Sequence, residues 1–193
     1  MEEFRRIKRE LVAKGAIIDY YQDTMQIPNG NIAKWDLIDH KGAAAVVAVR
    51  EDGKLLMVRQ YRNALERETL EIPAGGLNGR EEPTDQAAMR ELQEETGITL
   101  EESDSIRLVN PLVFSTPGMT DESNALVQII LNREEMPKVS QEGAVGTECF
   151  DGFLLLTKEE AQKILKDGVD DQGFFYPLYT WAALMCFATG MWK

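Results

Sequence analysis

Gly76-Leu77-Asn78-Gly79-Arg80-Glu81-Glu82-Pro83-Thr84-Asp85-Gln86-Ala87-Ala88-Met89-Arg90-Glu91-Leu92-Gln93-Glu94-Glu95-Thr96-Gly97-Ile98 carries most of the information in this chain. Pro83 suits a first helical turn and Gly97 a C-terminal stop, so the spacing predicts a helix from about Pro83 to Thr96. At about 100° per residue, Glu91, Glu94 and Glu95 share one arc, while Ala88, Met89 and Leu92 occupy the neighbouring arc and can pack on a sheet. Carboxylates so placed repel one another by a few tenths of a kcal/mol per pair, which makes a compensating cation attractive. Hard oxygen ligands of this kind suit Mg²⁺ or Mn²⁺, ions that share phosphate oxygens with a substrate.

Upstream, Thr69 to Ile72 reads as a short strand running into Pro73-Ala74-Gly75. Ala43 to Val49 is a buried-strand run, and Asp52-Gly53 turns it into a returning strand, Leu55 to Tyr61. Ala16 to Ile27 and Ile32 to Asp39 flank the turn signal Pro28-Asn29-Gly30-Asn31 and form a hairpin ahead of the core, with residues 2–10 as a charged opening. Downstream come strands at Ile106 to Phe114, Asn124 to Leu131 and Phe150 to Leu156, then helices at Lys158 to Lys166 and Tyr176 to Ala188. Strands outnumber helices and some are hairpin-connected, so an α/β sandwich with a mixed sheet is expected rather than a doubly wound fold. The organisation is an N-terminal strand and hairpin extension, residues 1–40, and one domain, residues 41–193.

The 193 residues include 33 Asp and Glu against 21 Lys and Arg, a net charge of −12. Nucleic-acid backbones are held by surplus cations, so this balance argues against such a partner. With 44% hydrophobic residues the chain can bury a real core. Two cysteines, Cys149 and Cys186, make neither a disulfide framework nor a thiolate metal site, which suits a reducing cytoplasm. The opening MEEFRRIKRE offers neither a secretory signal nor a lipid anchor. Phe174 to Trp192 has no charged residue. It is read as a buried terminal helix and not as a membrane span, which needs about 20 predominantly apolar residues.

Gly76 to Ile98 satisfies G-x5-E-x7-R-E-U-x-E-E-x-G-U, with U apolar, at every position. Such a pattern recurs by chance in roughly one chain of this length in ten million. The segment resembles the Nudix box. The resemblance implies an α/β/α Nudix sandwich whose loop, helix and loop hold two or three Mg²⁺ around a nucleoside diphosphate linked to another group. It assigns metal ligation to Glu91 and Glu95, with Glu94 as a further ligand or as the residue that orients the water. A backbone carbonyl before the box joins the metal shell: Gly75 by box spacing, Ala74 by similarity of the Pro-Ala-Gly segment. Arg90 braces the carboxylates, and Glu81 or Glu82 supports the loop.

Three flanking features resemble the ADP-ribose pyrophosphatase branch. Arg59-Gln60-Tyr61-Arg62 ends a core strand, and a strand-end arginine, Arg62 above all, can fork onto a pyrophosphate. Leu70-Glu71-Ile72-Pro73-Ala74-Gly75 leads into the box, with Glu71 either supporting the site or lying on a strand edge. Ser115 to Glu122 resembles the branch's Pro-Gly loop, whose terminal acid reaches the ribose, a role that falls on Glu122. Trp35 matches a tryptophan that stacks on adenine in some relatives, and the extension that carries it crosses to a second subunit there, which implies a homodimer.

Catalysis needs a base for the attacking water. The branch places it on a mobile loop, here Val139 to Cys149, where Glu142 and Glu148 compete; Glu148, just before a strand, is favoured. His40, the one histidine, is read as a packing or surface residue. The expected activity is Mg²⁺-dependent hydrolysis of ADP-ribose to AMP and ribose 5-phosphate, with Mn²⁺ a substitute. The rivals are another nucleoside diphosphate sugar, such as GDP-mannose, and a non-catalytic nucleotide-sugar sensor; the intact box weighs against the sensor.

Overall fold

A computed structural model of the chain describes residues 3–133 and 150–191. Three strands, β1 (Arg5–Lys14), β2 (Asp19–Gln26) and β3 (Ile32–Asp39), form an antiparallel sheet in that order. The expected hairpin is β2 and β3, but the charged opening is itself mostly strand. Its charges are met across the ladder: Arg9 faces Asp23 in register and donates to both carboxylate oxygens at 2.7 Å, and Arg5 donates to Gln26 at 2.8 Å. Cross-strand polar pairing of this kind stabilises a strand that has little apolar periodicity.

The second sheet is seven-stranded and mixed. It contains β4 (Ala43–Arg50), β5 (Leu55–Arg62), β6 (Arg67–Glu71), β7 (Ala74–Gly76), β8 (Ser105–Phe114), β9 (Ser123–Leu131) and β10 (Phe150–Leu156). The main order is β10-β5-β4-β9-β8, with β6 on β5 and β7 on β4; β4 and β9 run parallel and the other pairs antiparallel. Helix α1 (Thr84–Thr96) covers one face, and α2 (Lys158–Asp167) and α3 (Leu178–Thr189) cover the other. The pleat of β4 divides its residues between the layers. Ala44, Val46 and Ala48 join the core that includes Ala88 and Leu92 of α1, while Ala45 and Val47 join the core of α2 and α3. A strand covered on both faces reads as an unbroken apolar run, which is why Ala43 to Val49 is legible. Truncating fully buried Leu92 to Ala would cost about 2–5 kcal/mol.

The helix ends follow their sequence signals. Pro83 precedes α1, and Gly97 ends it in the left-handed region at φ 74°. In α2, Thr157 and Glu160 form a reciprocal capping box. Helix α3 runs between Pro177 and Gly190. It buries Thr180, Ala183, Leu184 and Phe187, spaced as one helical face, but Leu178, Trp181 and Met185 on the other face are exposed. The buried-helix expectation therefore holds for one face only. Among the described residues, no helix is long and apolar enough to cross a membrane.

Candidate active site

Pro73 turns the chain from β6 into β7, and its carbonyl accepts from Val46 N–H at 2.7 Å. The short β7 then pairs with β4, Ala44 opposite Gly75 and Ala45 opposite Ala74, which holds the backbone before the box against the sheet. Across from it, α1 presents Glu91 and Glu95 one turn apart on the face that also carries Ala88 and Leu92. Both glutamates are buried, at 4% and 2% exposure. The Glu91 carboxylate packs so tightly on Gly75 that a Cβ there would overlap it. Ala74 N–H points to Glu95 Oε1 at 3.4 Å. Ala74 and Gly75, the two alternatives for the backbone ligand, thus both lie against the carboxylates expected to hold metal.

Arg90 braces Glu91 of this pair. Its Nη1 donates to Glu91 Oε1 at 2.5 Å and to Glu94 at 3.1 Å; Nε and Nη2 donate to Glu82, each at 3.2 Å; Nη2 also donates to Gly76 O at 2.9 Å. Burial works against the Arg90 charge, but the bonds to Glu82 and the charge of Glu91 outweigh it, and its pKa is raised. Glu82 is held below its ordinary value by Arg90 and then by Asn78 N–H, which it accepts at 2.6 Å. Glu81 is exposed, so Glu82 is the acid that supports the loop.

This donor set fits a hard divalent cation: two buried carboxylates of one helix, flanked by peptide backbone in a cleft too tight for a side chain. Among the described residues no three acidic side chains close into a ready-made cage. Glu94 stands off from the pair, sharing the Arg90 guanidinium with Glu91.

Arg59 and Arg62 are an odd number of residues apart and leave β5 on opposite faces. Arg59 pairs with Asp170 at 3.6 Å and lies over the Phe174 ring, away from the box. Arg62, with 38% of its side chain exposed, turns its fork onto Glu71, with Nε to Oε1 at 2.6 Å and Nη2 to Oε2. Glu71 is 1% exposed, so it is an interior acid and not a strand-edge one. It also accepts from Thr69 Oγ1 at 2.5 Å and from the Tyr179 hydroxyl.

Glu122 is half-buried in the loop after β8, its own N–H donating to Thr120 Oγ1. The loop is tied to the end of β3: Ile38 N–H donates to Met119 O, His40 N–H to Asp121, and Arg80 of the box loop bridges Asp39 and Asp121. His40 Nδ1 accepts from Gly42 N–H, the packing role expected of it. Trp35 stands on the extension, 46% exposed, with its ring 6.0 Å from that of Phe4. Glu142 and Glu148 lie outside the described residues. The structure thus gathers Glu91, Glu95, Ala74 and Gly75, brings Glu94 in through Arg90, and leaves Trp35 on a separate sheet. Sequence reasoning missed Tyr179 and Thr180, whose hydroxyl accepts from Ile72 N–H at 3.2 Å. The only hint was polar residues within an otherwise apolar helix.

An α/β/α sandwich that buries paired helical glutamates against a Pro-Ala-Gly turn defines a class of protein, and comparison with known proteins agrees. The NUDIX domain family matches residues 39–171, and the chain belongs to that family. It is similar to the ADP-ribose pyrophosphatase of Bacillus subtilis (strain 168), at 36% identity over 85% of this chain and 84% of that one. It is also similar to the methanol dehydrogenase activator of Bacillus methanolicus, at 34% over 86% and 84%. A solved structure described as an ADP compounds hydrolase shares the fold, with a TM-score of 0.73 over 100% of this chain and 97% of that one at 15% identity.

Proposed function

We propose that the protein hydrolyses the pyrophosphate of ADP-ribose to AMP and ribose 5-phosphate with Mg²⁺, Mn²⁺ serving as a substitute. The observation that carries this is the burial of Glu91 and Glu95 against Ala74 and Gly75 under the Arg90 brace. Similarity to relatives named ADP-ribose pyrophosphatase supports the choice of substrate. Water oxygen ends on one phosphorus and the bridging oxygen leaves with the other.

The chemistry supplied by a divalent cation bound here is positive charge for the phosphates and acidity for the attacking water. Glu91 and Glu95, with a carbonyl of Ala74 or Gly75, would hold it. Arg90 keeps Glu91 fixed while reducing repulsion from Glu94, so the site is arranged before substrate arrives. Glu94 orients the water, Arg62 contacts a phosphate, Glu122 the ribose and Trp35 the adenine, and Glu148 or Glu142 takes the proton.

Residues 1–40 form the extension and 41–193 the hydrolase domain. We assign the protein to the cytoplasm and to a homodimer made through the extension; the exposure of Ile7, Leu11 and Val12 on β1 supports the second subunit. The test is phosphate chemistry: products are measured from ADP-ribose, ADP-glucose, GDP-mannose, NADH and diadenosine polyphosphates with each metal. Preference for ADP-ribose by at least tenfold in kcat/KM is expected, and equal or better use of GDP-mannose overturns the substrate assignment.

A further inference from the structure

We propose that Tyr179 is a positioning residue of the site: with Glu71 it locks the Arg62 guanidinium so that only its Nη1 edge faces a substrate phosphate. The inference rests on the assignment of Arg62 to the phosphate contact.

A guanidinium has five N–H donors in one plane. The Nε hydrogen of Arg62 goes to Glu71 Oε1, and the two Nη2 hydrogens go to Glu71 Oε2 and, at 3.0 Å, to the Tyr179 hydroxyl. Tyr179 in turn donates its own proton to Glu71 Oε2. Among the described residues, both fork geometries that could grip a phosphate through two nitrogens are therefore committed inside the protein, and the two Nη1 hydrogens remain. The bidentate grip expected from sequence becomes a grip through one nitrogen, aimed by the protein.

Removing the phenol oxygen would release one Nη2 hydrogen and let the plane tilt about its remaining contact with Glu71. The lock is in the right place to matter. Glu71 is one residue from Ile72, whose N–H is held by Thr180 of the same helix, and Pro73-Ala74-Gly75 follow directly. Burial, then the charge of Glu71 and, more weakly, that of Glu95 raise the Tyr179 pKa well above its usual value, so the phenol stays protonated and able to donate. Helix α3 thus reaches the site through two adjacent hydroxyl residues, Tyr179 onto the arginine clamp and Thr180 onto the turn before the box.

The test compares Tyr179→Phe, Arg62→Ala and the double variant in the full-length protein, with Glu71→Gln as a second way to open the lock. Tyr179→Phe should lower kcat/KM for ADP-ribose about tenfold, mostly in kcat, because a misaimed contact is lost chiefly in the transition state. In the Arg62→Ala background the same change should have less than a twofold effect. The Arg62 side-chain ¹⁵N spectrum should show distinct Nη1 and Nη2 signals in the wild type, exchange-broadened in Tyr179→Phe, where the fork on Glu71 stays, and averaged in Glu71→Gln. A Tyr179→Phe enzyme within twofold of wild type, or a tenfold effect that persists without Arg62, overturns the proposal. If the wild type leaves ADP-ribose intact, the substrate assignment fails, and the spectrum decides on the lock alone: averaged Nη signals in the wild type refute it.

Discussion

The backbone of Gly75 and the carboxylate of Glu91 occupy adjoining space with no room for a methyl group between them. The strand before the box and the first metal-ligand candidate are therefore fitted to each other, and the fit requires glycine. Gly75→Ala should push Glu91 off its position. Overpacking costs about 1–3 kcal/mol in stability, and a displacement near 1 Å costs about 10²-fold in rate. Turnover and thermal unfolding measured together should show the larger loss in turnover; a Gly75→Ala protein with wild-type kcat would mean that Glu91 need not stay where it lies.

Glu91→Gln and Glu95→Gln keep shape and remove charge. Each should lose at least about 10²-fold in kcat, as expected when an electrostatic element of the transition state is deleted, while remaining folded by circular dichroism. The Mg²⁺ concentration for half-maximal rate should rise in both. Near-normal turnover in either variant would show that the metal is held elsewhere.

Much of this arrangement was legible in the sequence because it depends on local spacing. The box pattern fixed α1, its Gly97 stop and the shared face of Glu91 and Glu95, and the unbroken run Ala43 to Val49 announced a strand covered on both sides. What could not be read depends on partners far along the chain. Strand β1 exists through pairs such as Arg9 with Asp23, and a charged decapeptide shows no apolar period that would reveal it. Glu71 read equally well as a surface acid, because its burial depends on Arg62, Thr69 and Tyr179, the last of them 108 residues away. The exposed face of α3 was invisible for the opposite reason: an uncharged helix looks buried all round.

Arg90 connects Glu82, Glu91, Glu94 and Gly76 O with a single planar group. Arg90→Lys keeps the charge but cannot span those four acceptors. Both Arg90→Lys and Arg90→Ala should lower kcat by about tenfold or more, and Arg90→Ala should also destabilise the protein by about 1–3 kcal/mol by removing a charged donor from buried Glu91. Full activity in Arg90→Lys would show that charge alone suffices and that the fork geometry is incidental.

Trp35 is exposed on β3 beside Phe4, also exposed, and the two rings form an apolar platform. If adenine stacks there, Trp35→Ala should cost about 1–3 kcal/mol of binding. That corresponds to a rise in KM for ADP-ribose of roughly five- to 150-fold with kcat little changed. The same variant assayed with a pyrophosphate lacking a base should match wild type. An unchanged KM for ADP-ribose counts against adenine recognition at this position.

The extension should loosen in acid. Asp23 is held below its ordinary value of 3.8 by hydrogen bonds from Arg9, which outweigh the opposing effect of burial. Its folded-state pKa lies below its unfolded one, so its contribution to stability is fully present above about pH 3.8 and is lost as the pH falls through the lower, folded value. Hydrogen exchange of the β1 and β2 amides should therefore accelerate, relative to the intrinsic rate, on going from neutral pH to below that range. Asp23→Asn should show the faster exchange already at neutral pH, equivalent to a loss of about 1–2 kcal/mol, and should have little further dependence on acid. Protection in β1 that is identical in wild type and Asp23→Asn at neutral pH would mean that Arg9 and Asp23 do not hold the strand.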